Sequence, residues 1–176
     1  MSPIDHQKEL QEDLRAVRRR YDDLKRGRTA PIRHCHTAHE VALEAVYWDI
    51  GKSLAQKKPD LAHVVLLFPL ATQARTSNRP FTFGQFLRQR LGDGGGAALR
   101  FRRLLASRDR DELVHRLRGV LRLACADKAP VDWGVLGADI LRFADNDSVR
   151  RNWAQNFYAP FLATTPVQPR LLPPNA

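Results

Sequence analysis

The chain has 176 residues, and 29 Lys and Arg against 19 Asp and Glu give it a net charge of +10. That length fits one large domain or two small ones. A hydrophobic content of 43% supports a buried core and excludes an intrinsically disordered protein. A pI near 10.4 on a mixed globular composition points to a polyanionic partner.

Strand-type alternation is nearly absent, whereas helical periodicity recurs in segment after segment. Residues 5–26 form the first predicted helix, with Leu10, Leu14, Val17, Tyr21 and Leu24 in one apolar stripe. A loop containing Pro31 follows. Thr37 and Glu40 have capping-box spacing and open a second helix. Val41, Ala45, Trp48 and Leu54 are expected on its core face, and Gly51 as a break. Residues 61–75 predict a third helix kinked at Pro69. Its apolar run, residues 61–71, is too short to cross a bilayer, so no membrane partner is expected.

A short helix over residues 82–91 ends at Gly92-Asp93-Gly94-Gly95-Gly96. Further helices are predicted over residues 97–105, 109–126, 132–144 and 147–162. The fold class is therefore all-α. The expected organisation is two small helical bundles, residues 1–91 and 97–163, joined by the glycine-rich linker 92–96. Residues 164–176 carry Pro166, Pro169, Pro173 and Pro174 and are expected to be a disordered tail.

Charge is unevenly distributed. Residues 1–74 hold 12 basic and 10 acidic residues, whereas residues 75–151 hold 16 and 9. Arg outnumbers Lys 23 to 6. Either guanidinium forks suit phosphate, or a GC-rich genome sets the bias. On the first helix, Arg18 and Arg19 stand four residues before Asp22 and Asp23, so this face is expected to be solvated and self-compensated.

Residues 109–126 read differently. At about 100° per residue, Leu113, Leu117, Val120, Leu121 and Ala124 share one sector, opposite His115, Arg118 and Arg122, with Arg116 on the flank. A soluble face normally mixes signs, so this basic stripe is assigned to phosphate binding. The candidate nucleic-acid-binding residues are Arg79, Arg100, Arg103, Arg108, Arg110, Arg118, Arg122, Arg142, Arg150 and Arg151.

No catalytic residue, metal or cofactor is assigned. His34, Cys35, His36 and His39 lack the second ligand pair that a zinc site needs. The glycine run lacks the Lys and Ser/Thr of a P-loop. Cys35 and Cys125 read as free thiols of a reducing cytoplasm. Asp145-Asn146-Asp147 reads as a helix stop and cap. Trp48, Trp133 and Trp153 read as core.

The second half carries an ordered series of motifs: Phe83-Gly84-Gln85-Phe86-Leu87-Arg88, Arg100-Phe101-Arg102-Arg103-Leu104-Leu105, residues 109–123, Ala129-Pro130-Val131-Asp132-Trp133, and Phe143 followed by residues 149–158. In order and spacing this series resembles CasB, the small subunit of the type I-E CRISPR complex Cascade. The resemblance implies a non-catalytic helical protein, paired with a second copy of itself between the Cascade large subunit and the backbone subunits. It implies contacts to target DNA and the displaced strand, with crRNA as a further candidate, that hold the R-loop open. Two other classes remain at this stage, a helix-turn-helix transcription regulator and a purely structural helical adaptor. The regulator needs a tight turn between short helices, and here the candidate pairs are joined by long or glycine-rich loops.

Overall fold

A computed structural model describes residues 3–74, 81–92, 94–127 and 129–159. Among these residues the fold is all-α, with eleven helices and two strands of two residues each. The helices are α1 (Pro3–Asp23), α2 (Ala30–His34), α3 (Ala38–Leu43), α4 (Ala45–Gly51), α5 (Ser53–Lys57), α6 (Leu61–Val65), α7 (Phe83–Leu91), α8 (Gly95–Leu105), α9 (Arg110–Ala124), α10 (Trp133–Arg142) and α11 (Asp147–Tyr158). Arg79, Asp93 of the glycine run and the tail 164–176 lie outside the described residues.

Side chains set the helix starts. Thr37 Oγ1 accepts from Glu40 N at 3.2 Å, and the Glu40 carboxylate accepts from His36 N at 2.6 Å. The start of α9 repeats the device: Asp109 accepts from Glu112 N at 2.8 Å, and Glu112 accepts from Arg108 N at 2.7 Å. Such reciprocal bonds satisfy donors that have no partner inside the helix. Asp132 caps α10 through Gly134 N and Val135 N, and Asn146 caps α11 through Ser148 N.

Three readings of the first half are corrected. The helix predicted over residues 61–75 stops at Val65 and tightens into a 3₁₀ turn at Phe68–Leu70. Pro69 has no N–H to continue the α ladder. The chain then runs out as β1 (Thr72–Gln73), paired in parallel with β2 (Pro130–Val131). Strands this short leave no periodicity to read. The second predicted helix is divided at Glu44, which is extended, and at Lys52, whose φ of 48° is one that L-residues rarely adopt. Trp48 is 48% exposed rather than core, with its Nε1 on the Ala42 carbonyl at 3.0 Å.

Arg18 is the fourth correction. It does pair with Asp22, at 2.7 Å, but it is only 4% exposed. Its guanidinium donates to Phe68 O at 2.7 Å and lies over the rings of Tyr21, Phe68 and Trp133 at 5.1–5.5 Å. Hydrogen bonds, an ion pair and π faces together replace the water it gives up. Arg19 stays outside and pairs with Glu12.

Helices from the two sides of the glycine run interlock. α10 lies along α1, α7 lies along α11, and the buried side chains form one cluster. Residues 92–96 therefore do not divide the packing into a 1–91 unit and a 97–163 unit, and α8 begins within them. Close approach of the helices explains the interlock. A Cβ on Gly134 of α10 would stand 2.6 Å from the Gln11 carbonyl of α1. A Cβ on Gly84 of α7 would stand 2.3 Å from the Trp153 carbonyl of α11. Only hydrogen fits at either crossing. Gly119 on α9 has open space around it.

Gly84→Ala and Gly134→Ala are expected to lower unfolding free energy by about 1–3 kcal/mol or more, because backbone must shift. Gly119→Ala is expected to raise it by about 0.5–1 kcal/mol, since alanine restricts the unfolded chain and meets nothing in the fold. Urea denaturation of the three variants checks both signs.

Candidate nucleic-acid interface

The apolar stripe of α9 is buried as its spacing dictates: Leu113, Leu117, Leu121 and Ala124 are fully covered and Val120 nearly so. His115 and Arg122 face outward. The rest of the predicted basic stripe is partly answered from within. Glu112 pairs with Arg116, one turn on, and Arg116 also reaches the Arg103 carbonyl of α8. Arg118 donates to the His36 carbonyl at 2.8 Å, tying α9 to the segment before α3.

Three of the sequence-assigned arginines serve the fold. Arg110 binds Asp60 at 2.7 Å and the Leu141 carbonyl at 2.8 Å, joining the start of α9 to the start of α6 and the end of α10. Arg142 binds Gln7 at 3.0 Å and Asp139 at 2.9 Å. Arg150 binds Asp147 at 2.8 Å and the Ser107 carbonyl at 3.0 Å, and lies 4.4 Å from the centre of the Phe143 ring. Each carries its charge into a half-buried niche, where sequence spacing alone shows only a basic residue. The Leu141 carbonyl, in the last turn of α10, attracts Arg110 because its lone pairs have no partner inside the helix.

The remaining arginines form a different set. Arg100, Arg102, Arg103, Arg108, Arg122 and Arg151 are exposed, and their side chains make no hydrogen bond or ion pair among the described residues. Five of them lie on the hairpin of α8 and α9. The sixth, Arg151, adjoins Arg150, which reaches the loop of that hairpin at Ser107. On α8, Ala97, Phe101 and Leu104 are buried, and Arg102 and Arg103 flank the outward-facing Leu99. Arg102 was not among the sequence-assigned residues. Its place in the Arg100–Arg103 segment is the signal that could have found it. Arg79 lies outside the described residues.

Other chemistry is less developed. Cys35 is buried, with Sγ directed at the Pro31 carbonyl at 3.3 Å, whereas His34, His36 and His39 are exposed. Among the described residues no group of three or more His, Cys, Asp and Glu side chains is placed to hold a metal ion. Burial pushes the Cys125 thiol up to about 11. Burial, then Glu44 and Glu40, also raise Cys35 above the ordinary thiol range. Burial raises Asp139 as well, opposed by Trp153 Nε1 at 2.8 Å and by Arg142. Among the described residues no helix is long and apolar enough to cross a membrane.

Fold and surface together define an all-α protein that turns one set of arginines inward and presents another that has no partner among the described residues. The family model of CRISPR-associated protein Cse2 matches residues 22–158, so the chain belongs to that family, the small subunit of type I-E CRISPR Cascade. This is the family whose motif series the second half resembles. No curated protein and no solved structure matches the chain.

Both thiols are expected to resist a disulfide-exchange reagent at pH 8 in the native protein, because thiolate is scarce and access is closed. Denaturant should release two reactive thiols per chain. Rapid native labelling of Cys125 would contradict the burial described.

Proposed function

We propose that the chain binds nucleic-acid backbone without reading sequence, through Arg100, Arg102, Arg103, Arg108, Arg122 and Arg151, and so stabilises the R-loop during crRNA-guided recognition of DNA. The observation that carries this reading is that these six guanidinium groups have no partner among the described residues. Unpaired, solvated guanidinium groups are free to take phosphate oxygens. Arg110, Arg142 and Arg150 have internal partners and are assigned to structure instead. Arg118 holds a carbonyl and contributes charge at most.

R-loop formation exchanges one duplex for another of similar stability, so a few phosphate contacts suffice to tip it. The role is non-catalytic and cytoplasmic. Its partners are the large and backbone subunits, a second copy of this chain, target DNA and the displaced strand, with crRNA as a further contact. Exposed Leu43, Trp48, Leu99 and Leu123 are the apolar positions offered to protein partners.

The test is a set of binding titrations at several salt concentrations with unrelated DNA sequences. Arg102→Ala/Arg103→Ala/Arg122→Ala is expected to weaken binding about equally on every sequence. For every phosphate that goes unneutralised, the salt slope should fall by about 0.9 on duplex and about 0.7 on single strands. Arg19→Ala/Arg28→Ala removes two exposed arginines that are paired with Glu12 and Asp49. It should leave the slope unchanged. Loss of affinity in that control alone would overturn the assignment.

A further inference from the structure

A cavity of about 320 Å³ lies where α1, α7, α10 and α11 meet. Two features separate it from an ordinary packing gap. The first is its charge. Asp139 and Arg142 both line it, but they bind each other at 2.9 Å, so the lining presents no net charge. The second is its unused hydrogen-bonding capacity. Thr82 Oγ1 is buried without a partner among the described residues, although Thr82 stands at the cap position of α7. The Ser148 hydroxyl makes no hydrogen bond among the described residues. Asn152 and Gln7 each use only the amide oxygen, accepting from Asn156 and Arg142 respectively, each at 3.0 Å. Neither amide NH₂ has a partner among the described residues; Ser148 and Asn152 are exposed and Gln7 is half-buried.

Four neutral groups able to donate thus line one cavity. Val135 and Val149 supply apolar wall, and the ring of Phe81 stands at the side. A buried polar oxygen without a partner is costly, and a ligand or water that accepts from it removes the cost. The complementary molecule is uncharged, flat and rich in acceptors. A nucleobase fits that description: its ring nitrogens and carbonyl oxygens accept, and its faces are apolar. A site so built has no use for a free anion, since the only cation in its lining is already neutralised by Asp139.

Position supplies the second argument. Arg151 follows Ser148 by three residues and precedes Asn152 on α11, and it is exposed and unpaired among the described residues. Arg151 thus stands on α11 beside two residues of the lining, Ser148 one turn before it and Asn152 directly after it. We propose that the cavity accepts one unpaired nucleobase of a single strand whose backbone lies on Arg151, a reading that rests on the backbone contact described above. Unpaired bases of a displaced strand enter such a cavity without first being flipped from a duplex, so the unpairing cost is already met.

The experiment compares the full chain with Thr82→Val and Ser148→Leu. Thr82→Val keeps the side-chain shape and removes the unpartnered hydroxyl. Ser148→Leu is a neutral change at an exposed position of the lining. Two probes are used: single-stranded DNA carrying one 2-aminopurine, and the same strand with abasic sites throughout. The wild-type chain is expected to bind the abasic strand at least five-fold more weakly, in line with the energy of holding one base. It should also change the 2-aminopurine emission. Both variants should lose most of that preference while binding the abasic strand as the wild type does. If intact and abasic strands bind the wild-type chain equally, the cavity holds water and the proposal is wrong, while the backbone contact stands. If no strand binds at any salt concentration, both fall.

Discussion

The close crossing of α10 over α1 is the constraint on which the rest of the structure depends. It requires Gly134, because any larger side chain there meets the Gln11 carbonyl at 2.6 Å. It is locked by Arg15, which binds both carboxylate oxygens of Asp132 at 2.9–3.0 Å, while Asp132 also caps α10. One residue thus sets where α10 starts and where it docks. Trp133, next in sequence, is buried over Arg18 and Phe68. A chain segment from beyond the glycine run is thereby fixed into the core built by the first helix. α7 and α11 repeat the arrangement through Gly84, with Trp153 against Phe83 and Phe143.

This interlocking decides what happens to the positive charge. Many helix ends meet in a small volume, and their carbonyl groups lack partners. Arg110 and Arg20 reach such last-turn carbonyls, at Leu141 and Ile50, while Arg118, Arg150 and Arg18 reach the carbonyls of His36, Ser107 and Phe68 outside the α-helices. Arginine suits the task because one planar group bridges several acceptors and remains charged at any relevant pH. The excess charge of the second half therefore divides into a structural share and a free share. The share without a partner among the described residues gathers on the α8–α9 hairpin and at Arg151.

The helices were legible in the sequence because their caps and stripes are local. Thr37 with Glu40 and Asp109 with Glu112 mark starts that the structure repeats bond for bond. The buried side of α9 follows from its spacing alone. What was not legible depends on contacts distant in sequence. Arg18 looks like an exposed ion pair with Asp22, and only Phe68 and Trp133, far along the chain, make it a core residue. Arg110 looks like part of a basic stripe until Asp60 and Leu141 are brought to it. Trp48 looks like core because the break at Glu44, which turns its face outward, leaves no mark in a helical pattern. β1 and β2 exist only as a pair.

The central claim is that the arginines divide into a structural set and a free set, and that nucleic acid takes the free one. Arginine-selective modification read by mass spectrometry, with and without single-stranded DNA, tests it most directly. In the free protein Arg100, Arg102, Arg103, Arg108, Arg122 and Arg151 should react readily, and buried Arg18 and half-buried Arg110 should not. DNA should then protect the reactive set on the hairpin and at Arg151. Protection confined to Arg26 and Arg33 in the first half, with the hairpin still reactive, would contradict the account.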